Sequence, residues 1–184
     1  MAGSTRKGPD PVNRLILIRH SKSDRPSGVA DHDRPLSERG RRDAVALGCW
    51  LGSDIEGLNP DRAIIVVSSS ERTQQTWGLA RSEAGEAWSV VPAITEPDVY
   101  EAAPSTLRTA MLQHAGDADL LALVGHNPGV SLLALELVGP QDRPRLAEGF
   151  PTSAAVVLET DAPWPSALAD LGAFRVSSFV IPRG

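Results

Sequence analysis

Leu15-Ile16-Leu17-Ile18-Arg19-His20-Ser21 decides the fold. The continuous apolar run Leu15 to Ile18 is what a strand buried on both faces looks like. It ends abruptly in a cation, an imidazole and a hydroxyl. A polar loop from Ser21 to Leu36 follows, rich in Asp, Arg, Pro and Gly. Ser37 then reads as a helix N-cap, with Glu38 in the first turn where the helix dipole favours a carboxylate. Ala44, Leu47, Gly48 and Leu51 recur at helical spacing, so Glu38 to Leu51 reads as an amphipathic helix.

The same alternation continues to the C-terminal end. Ala63 to Val67 reads as a second buried strand and Glu71 to Arg81 as a helix, closed near Ala84-Gly85. Val90-Val91 suggests a short strand before Pro92, and Thr95 to Pro104 a loop. Ser105 to His114 reads as a helix closed by Gly116, Leu120 to Val124 as a strand, and Asn127 to Val138 as a helix stopped by Gly139-Pro140. Ala154 to Glu159 and Phe174 to Ile181 supply two final strands. Short strands alternating with helices predict an α/β fold, a three-layer α/β/α domain with a mostly parallel central sheet.

Composition narrows the function. The chain has 184 residues, 41% of them apolar and 22% charged, a formal net charge of −5 and one cysteine. That apolar share supports a sizeable core in one domain. One cysteine excludes an internal disulfide framework, and the acidic balance argues against a nucleic-acid partner. No apolar run approaches the ~20 residues that span a bilayer, so no membrane association is expected. Residues 1–13 read as a flexible lead-in without a signal-peptide core, and 14–184 as the domain. A cytoplasmic location is the simplest expectation.

In open α/β sheets ligands gather at the carboxyl ends of the strands. The first strand ends in Arg19-His20-Ser21, the second in Ser68-Ser69-Ser70-Glu71-Arg72, and the fourth in Gly125-His126-Asn127-Pro128-Gly129. Each group has a bland reading: Arg72 as a helix-end residue, His126 as a histidine bonded to its own loop, Asn127-Pro128 as helix-start chemistry. Their coincidence at one sheet edge suits a doubly charged anion. A helix beginning at Asn127 adds backbone N–H groups and a positive dipole end for phosphate.

Leu17 to Asp24, with its Arg19-His20 pair, resembles the Arg-His-Gly signature of the histidine phosphatase superfamily, the phosphoglycerate-mutase-like fold. The resemblance continues through Asp31 to Gly40, Ser68 to Thr76, Tyr100-Glu101-Ala102, Val124 to Gly129 and Pro151 to Ala154. Together these segments are most similar to the small SixA-like phosphohistidine phosphatases. The resemblance implies that His20 is the nucleophile and forms a phosphohistidine intermediate. Arg19 and Arg72 grip the nonbridging oxygens and help keep His20 neutral, and His126 completes the clamp as a donor. It implies no cofactor and no metal. Glu101 is the candidate proton donor to the leaving group; its bland reading is a solvated loop carboxylate. A phosphohistidine substrate relaxes the need for an acid, because imidazole is a better leaving group than an alkoxide.

Ser21 departs from the family glycine; its hydroxyl is a candidate substrate contact, and glycine-only geometry at this position would be strained. The short excursion between Arg72 and His126 predicts a small lid and an open pocket. Asp31-His32-Asp33 has the look of a metal cluster, but adjacent residues point apart, so it reads as part of the pocket rim. His114 suits a helix end, Cys49 reads as a small core or semi-buried residue, and Trp50 and Trp77 as helix-packing residues. The expected substrate is a phosphorylated protein or a small phosphorylated molecule. The alternatives are a broad acid phosphatase or phosphomutase, and a phosphate-binding module without turnover. Walker, dinucleotide-binding and nucleophile-elbow motifs are absent.

Overall fold

Leu15 and Leu17 leave the first strand on one face, Ile16 and Ile18 on the other, and all four are fully buried. This alternation divides the core into two halves separated by a sheet. The computed structural model describes residues 12–53, 55, 58–147 and 149–184. Most of the lead-in, residues 1–11, lies outside the described residues. Asn13, assigned to that lead-in by its sequence, opens the first strand opposite Thr160.

The strands are β1 (Asn13–Arg19), β2 (Ala63–Ser68), β3 (Ala93–Glu96), β4 (Leu120–Gly125), β5 (Ala155–Thr160) and β6 (Arg175–Val180). They form one sheet in the order β3-β2-β4-β1-β5-β6. The first four in that order are parallel; β5 pairs antiparallel with β1, and β6 antiparallel with β5. The helices are α1 (Glu38–Leu51), α2 (Glu71–Glu83), α3 (Glu86–Ser89), α4 (Pro104–His114), α5 (Gly129–Leu137), α6 (Arg143–Leu146) and α7 (Trp164–Ala169). Leu47 and Leu51 of α1 and Trp77 and Ala80 of α2 cover the Ile16 and Ile18 face. Leu107 and Met111 of α4, Leu133 and Leu137 of α5 and Ala167 of α7 cover the other. Each such aliphatic side chain moved from water stabilises the fold by about 1.5–3 kcal/mol before chain entropy is charged against it.

The expected N-cap is present: Ser37 Oγ accepts the Gly40 N–H at 3.1 Å. α1 and α2 pack closely because Gly48 has no Cβ to meet the Ala80 carbonyl and the Glu83 side chain. Three local expectations change. Val90-Val91 is not a strand; Val90 caps the short helix α3 and is exposed, and the edge strand is Ala93–Glu96, paired to β2. An edge strand is only half covered, so it lacks the continuous apolar run that marks a central one. Cys49 is exposed, because on α1 it lies on the face turned away from Leu47 and Leu51. Regular helix after β4 begins at Gly129 instead of Asn127, with Pro128 as N-cap.

Candidate active site

The sheet order places β2, β4 and β1 side by side, which brings their three carboxyl ends together. Arg19 is in register with Gly125. His20 and His126 therefore leave adjacent strands at the same level, with ring centroids 5.1 Å apart. Arg72, in the first turn of α2, swings under the same edge and is 4% exposed.

His20 Nδ1 lies 2.7 Å from the Ser21 carbonyl. A carbonyl oxygen only accepts, so Nδ1 carries the proton and Nε2 holds the lone pair. Burial pushes the His20 pKa down to about 4, helped by the nearby Arg72, Arg19 and Arg34 cations and opposed by the Ser21 hydrogen bond. The imidazole is neutral near pH 7, as a nucleophile requires. Its carbonyl anchor is itself fixed. Ser21 N–H donates to Thr76 Oγ1 at 3.0 Å, and Thr76 Oγ1 donates to the Arg72 carbonyl at 2.6 Å, tying the His20 loop to α2.

His126 is neutral for related reasons. Burial comes first, followed by His20 and Arg72, and together they lower its pKa to about 3. Arg72 Nη2 stands 3.3 Å from His126 Nδ1 and has only protons to give, so Nδ1 accepts. The ring proton is on Nε2 and is donated to Ser68 Oγ at 2.9 Å. The sequence-based expectation was a donor to phosphate; in this structure Nδ1 receives a hydrogen bond from Arg72.

A cleft of about 230 Å³ is lined by Arg19, His20, Lys22, Ser23, Arg25, Asp31, Arg34, Arg72, Glu101 and Thr152. Among the predicted residues, Arg19, His20, Arg72 and Glu101 line it, and His126 stands behind His20 and Arg72. Glu101 has φ 51, a left-handed conformation that is uncommon outside glycine. Gly129 holds this turn in place: a Cβ there would collide with the Ala102 carbonyl.

Two predicted contacts are placed elsewhere. Ser21 is fully buried, and its hydroxyl lies 2.5 Å from Ser153 Oγ. It is Ser153, at φ 64, that takes the left-handed conformation; Ser21 does not, so the feared glycine-only strain is absent there. Asn127 Nδ2 donates to the Phe150 carbonyl at 2.9 Å, and Asn127 lines a neighbouring cleft with Phe150, Phe179 and Ile181. Arg19 borders both clefts and donates to the same Phe150 carbonyl at 2.8 Å.

Asp31 is the residue that sequence reasoning undervalued. Its Oδ1 accepts from Arg34 Nη1 at 2.6 Å, and its Oδ2 from Arg72 Nη2 at 3.0 Å and Tyr100 Oη at 2.9 Å. These donors, led by Arg34, hold its carboxyl well below the usual carboxylate range. His32 turns the other way, to Ser69 at 2.9 Å and Asp33 at 3.1 Å, so the rim residues diverge. A signal did exist: Asp31 and Arg34 share a one-turn spacing that lets them pair. His114 pairs with Glu96 at 3.1 Å and stands apart from the site.

What the arrangement supplies is a neutral imidazole with a directed lone pair, backed by two guanidinium groups at a solvent-facing cleft. An uncharacterized protein of Mycobacterium tuberculosis is 32% identical over 171 residues, covering 90% of this chain and all of that one. The structure of a candidate phosphohistidine phosphatase SixA from Nakamurella multipartitia superposes with TM-score 0.76 at 25% identity, covering 95% of this chain and 99% of that one. A protein histidine phosphatase SixA complexed with tungstate superposes with TM-score 0.70 at 19% identity, over 92% and 97% of the two chains. The family profile of the histidine phosphatase superfamily (branch 1) matches residues 15–139, from the strand that carries Arg19-His20 to the end of the helix after His126. The chain belongs to the histidine phosphatase superfamily.

Proposed function

We propose that this protein is a metal-independent phosphatase of the SixA type, acting through a covalent phosphohistidine on His20. The observation that carries the reading is the His20 Nδ1 bond to the Ser21 carbonyl, which aims the Nε2 lone pair into a cleft lined by Arg19 and Arg72. Nε2 attacks phosphorus, the bond to the leaving group breaks, and the leaving group takes a proton from Glu101. Water then attacks the phosphohistidine, Glu101 recovers a proton, and phosphate leaves with His20 neutral again. Arg19 and Arg72 offset the charge that gathers on the equatorial oxygens. An arriving dianion opposes the influences that keep His126 neutral, so a proton taken up at its Nδ1 turns the ring into a third donor.

Hydrolysis is favoured over phosphoryl transfer to a second substrate because the rim is open: Lys22, Arg25, Asp31 and Glu101 are all exposed. Water reaches such a site freely, whereas a mutase must exclude it. The same openness suits a phosphohistidine on a protein surface, and imidazole leaves without a strong acid. A small phosphoester is the second reading, favoured by the charged and hydroxyl side chains that line the cleft.

Initial rates on a phosphohistidine protein, phosphoserine and small phosphoesters, each with wild type and His20→Ala, test the proposal. Hydrolysis lost in His20→Ala, together with an acid-labile phosphoenzyme trapped on wild type, is the expected result. Turnover retained in His20→Ala overturns it.

A further inference from the structure

The cleft holds more positive charge than one phosphoryl group uses. Arg19 and Arg72 flank His20, and Arg34 is consumed by the protein itself: Nε donates to the Asp24 carbonyl at 2.7 Å, Nη1 to Asp31 at 2.6 Å and Nη2 to Ser23 at 2.7 Å. Asp31 is in turn ion-paired to Arg34 and Arg72. What remains is Lys22 and Arg25, both exposed, both lining the cleft, and neither ion-paired among the described residues. They lie on a protein whose net charge is −5, so general basicity does not explain them.

Their backbone is not a loose loop. Lys22 O accepts from Ser37 N at 2.9 Å and from Ser37 Oγ at 3.0 Å, and Asp24 N donates to the Pro35 carbonyl at 2.9 Å. Ser23 bridges Leu36, and the Lys22 carbonyl presses against Gly40, where a Cβ would collide with it. Two flexible cations are thus presented from a fixed edge beside the nucleophile. Apart from the His20 ring, the described residues that line the cleft are charged or hydroxyl side chains, so a leaving group meets charge there.

We propose that Lys22 and Arg25 form a second anion subsite, and that among small phosphoesters, the second reading above, the preferred substrate carries a second phosphate group beside the scissile one. The inference rests on the reading of the His20, Arg19 and Arg72 end as the phosphoryl site. Lys22 and Arg25 act on binding alone; the chemistry stays on His20.

Calorimetric titration with non-hydrolysable probes tests this without needing turnover. The probes are methylphosphonate, methylenebisphosphonate and propane-1,3-bisphosphonate, with wild type, the double variant K22A/R25A, and R81A/R143A as a control of equal charge change outside the cleft. At least one bisphosphonate is expected to bind wild type about tenfold tighter than methylphosphonate, as two exposed ion pairs allow. K22A/R25A erases that advantage, weakening bisphosphonate binding about tenfold more than methylphosphonate binding; R81A/R143A keeps it. Added salt weakens the advantage, because exposed pairs are screened. A bisphosphonate advantage that survives K22A/R25A, or no advantage in wild type, overturns the subsite. Arg72→Ala separates the two readings: methylphosphonate binding that survives it overturns the phosphoryl site itself, whatever Lys22 and Arg25 do.

Discussion

Arg72 Nη2 and Asp31 Oδ2 lie 3.0 Å apart, a guanidinium 5% exposed held by a carboxylate 48% exposed. The Asp31 backbone carbonyl accepts from Arg72 Nη1 as well, at 2.5 Å. Asp31 thereby aims the cation that also reaches His126, and its charge faces the same cleft that is to receive an anion.

Asp31→Asn separates those two effects. Removing a negative charge beside the anion tightens inhibition by orthophosphate severalfold, while a less firmly aimed Arg72 lowers kcat by about tenfold, part of the ~10²–10³ expected for losing one oxyanion donor outright. Arg72→Ala gives that full loss. Steady-state kinetics with orthophosphate as inhibitor checks both; an Asp31→Asn enzyme with unchanged kcat and unchanged inhibition refutes the positioning role.

The pH dependence follows from His20. Its folded pKa of about 4 lies below the ordinary 6.5, so the unfolded chain binds the extra proton across that interval. Stability is therefore complete above the unfolded value and is lost as pH falls toward about 4, by roughly 3 kcal/mol for this group. Denaturant melts of wild type and His20→Ala between neutral and acid pH should converge as pH falls, the variant losing less. Parallel curves would contradict a buried neutral His20. By the same protonation, kcat/KM holds through mildly acid pH and falls only as His20 charges near pH 4.

Gly40→Ala tests how the loop carrying His20 is held. A Cβ at Gly40 collides with the Lys22 carbonyl, which is backbone and has nowhere to rotate. Moving Lys22 drags the adjacent Ser21 carbonyl from His20 Nδ1. We expect a stability loss of about 1–3 kcal/mol, as for other overpacked sites, and a fall in kcat larger than that of Gly78→Ala, where a Cβ meets open space. Equal activity in the two variants would show that the loop moves without consequence.

Ser153→Ala leaves the buried Ser21 hydroxyl without its partner at 2.5 Å. An unsatisfied buried hydroxyl costs about 1–3 kcal/mol, read as a drop in thermal or denaturant midpoint. The double change Ser21→Gly with Ser153→Ala removes both polar groups and recovers part of that loss. A double variant less stable than Ser153→Ala by the full cost of a second lesion would refute the pairing.

Much of the architecture was legible because it rests on short-range patterns. The apolar run before Arg19, the cap at Ser37 and the helical spacing from Ala44 to Leu51 each specify a local structure that packing then agrees with. Strand-end chemistry was legible for the same reason: Arg19, His20, Arg72 and His126 sit at junctions that local signals mark. Val90-Val91 misled because a β-branched pair has no local feature that separates a helix end from a strand, and the true edge strand depends on pairing with Ile65 to Ser68.

The sequence by itself determined the central strands, the main helices, and which groups stand at the ends of the strands. Only the tertiary structure decided what those groups touch. The order β2-β4-β1-β5 sets Arg72 against His126, 54 positions away, and Ser21 against Ser153, 132 away. It sends the Asn127 side chain to Phe150 and gathers Arg34, Arg72 and Tyr100 on Asp31. The physical reason is one of range. Helix and strand signals are set by neighbours within a turn or two, whereas a ring's tautomer, a carboxylate's partners and a hydroxyl's direction are fixed by atoms that meet only after the sheet closes.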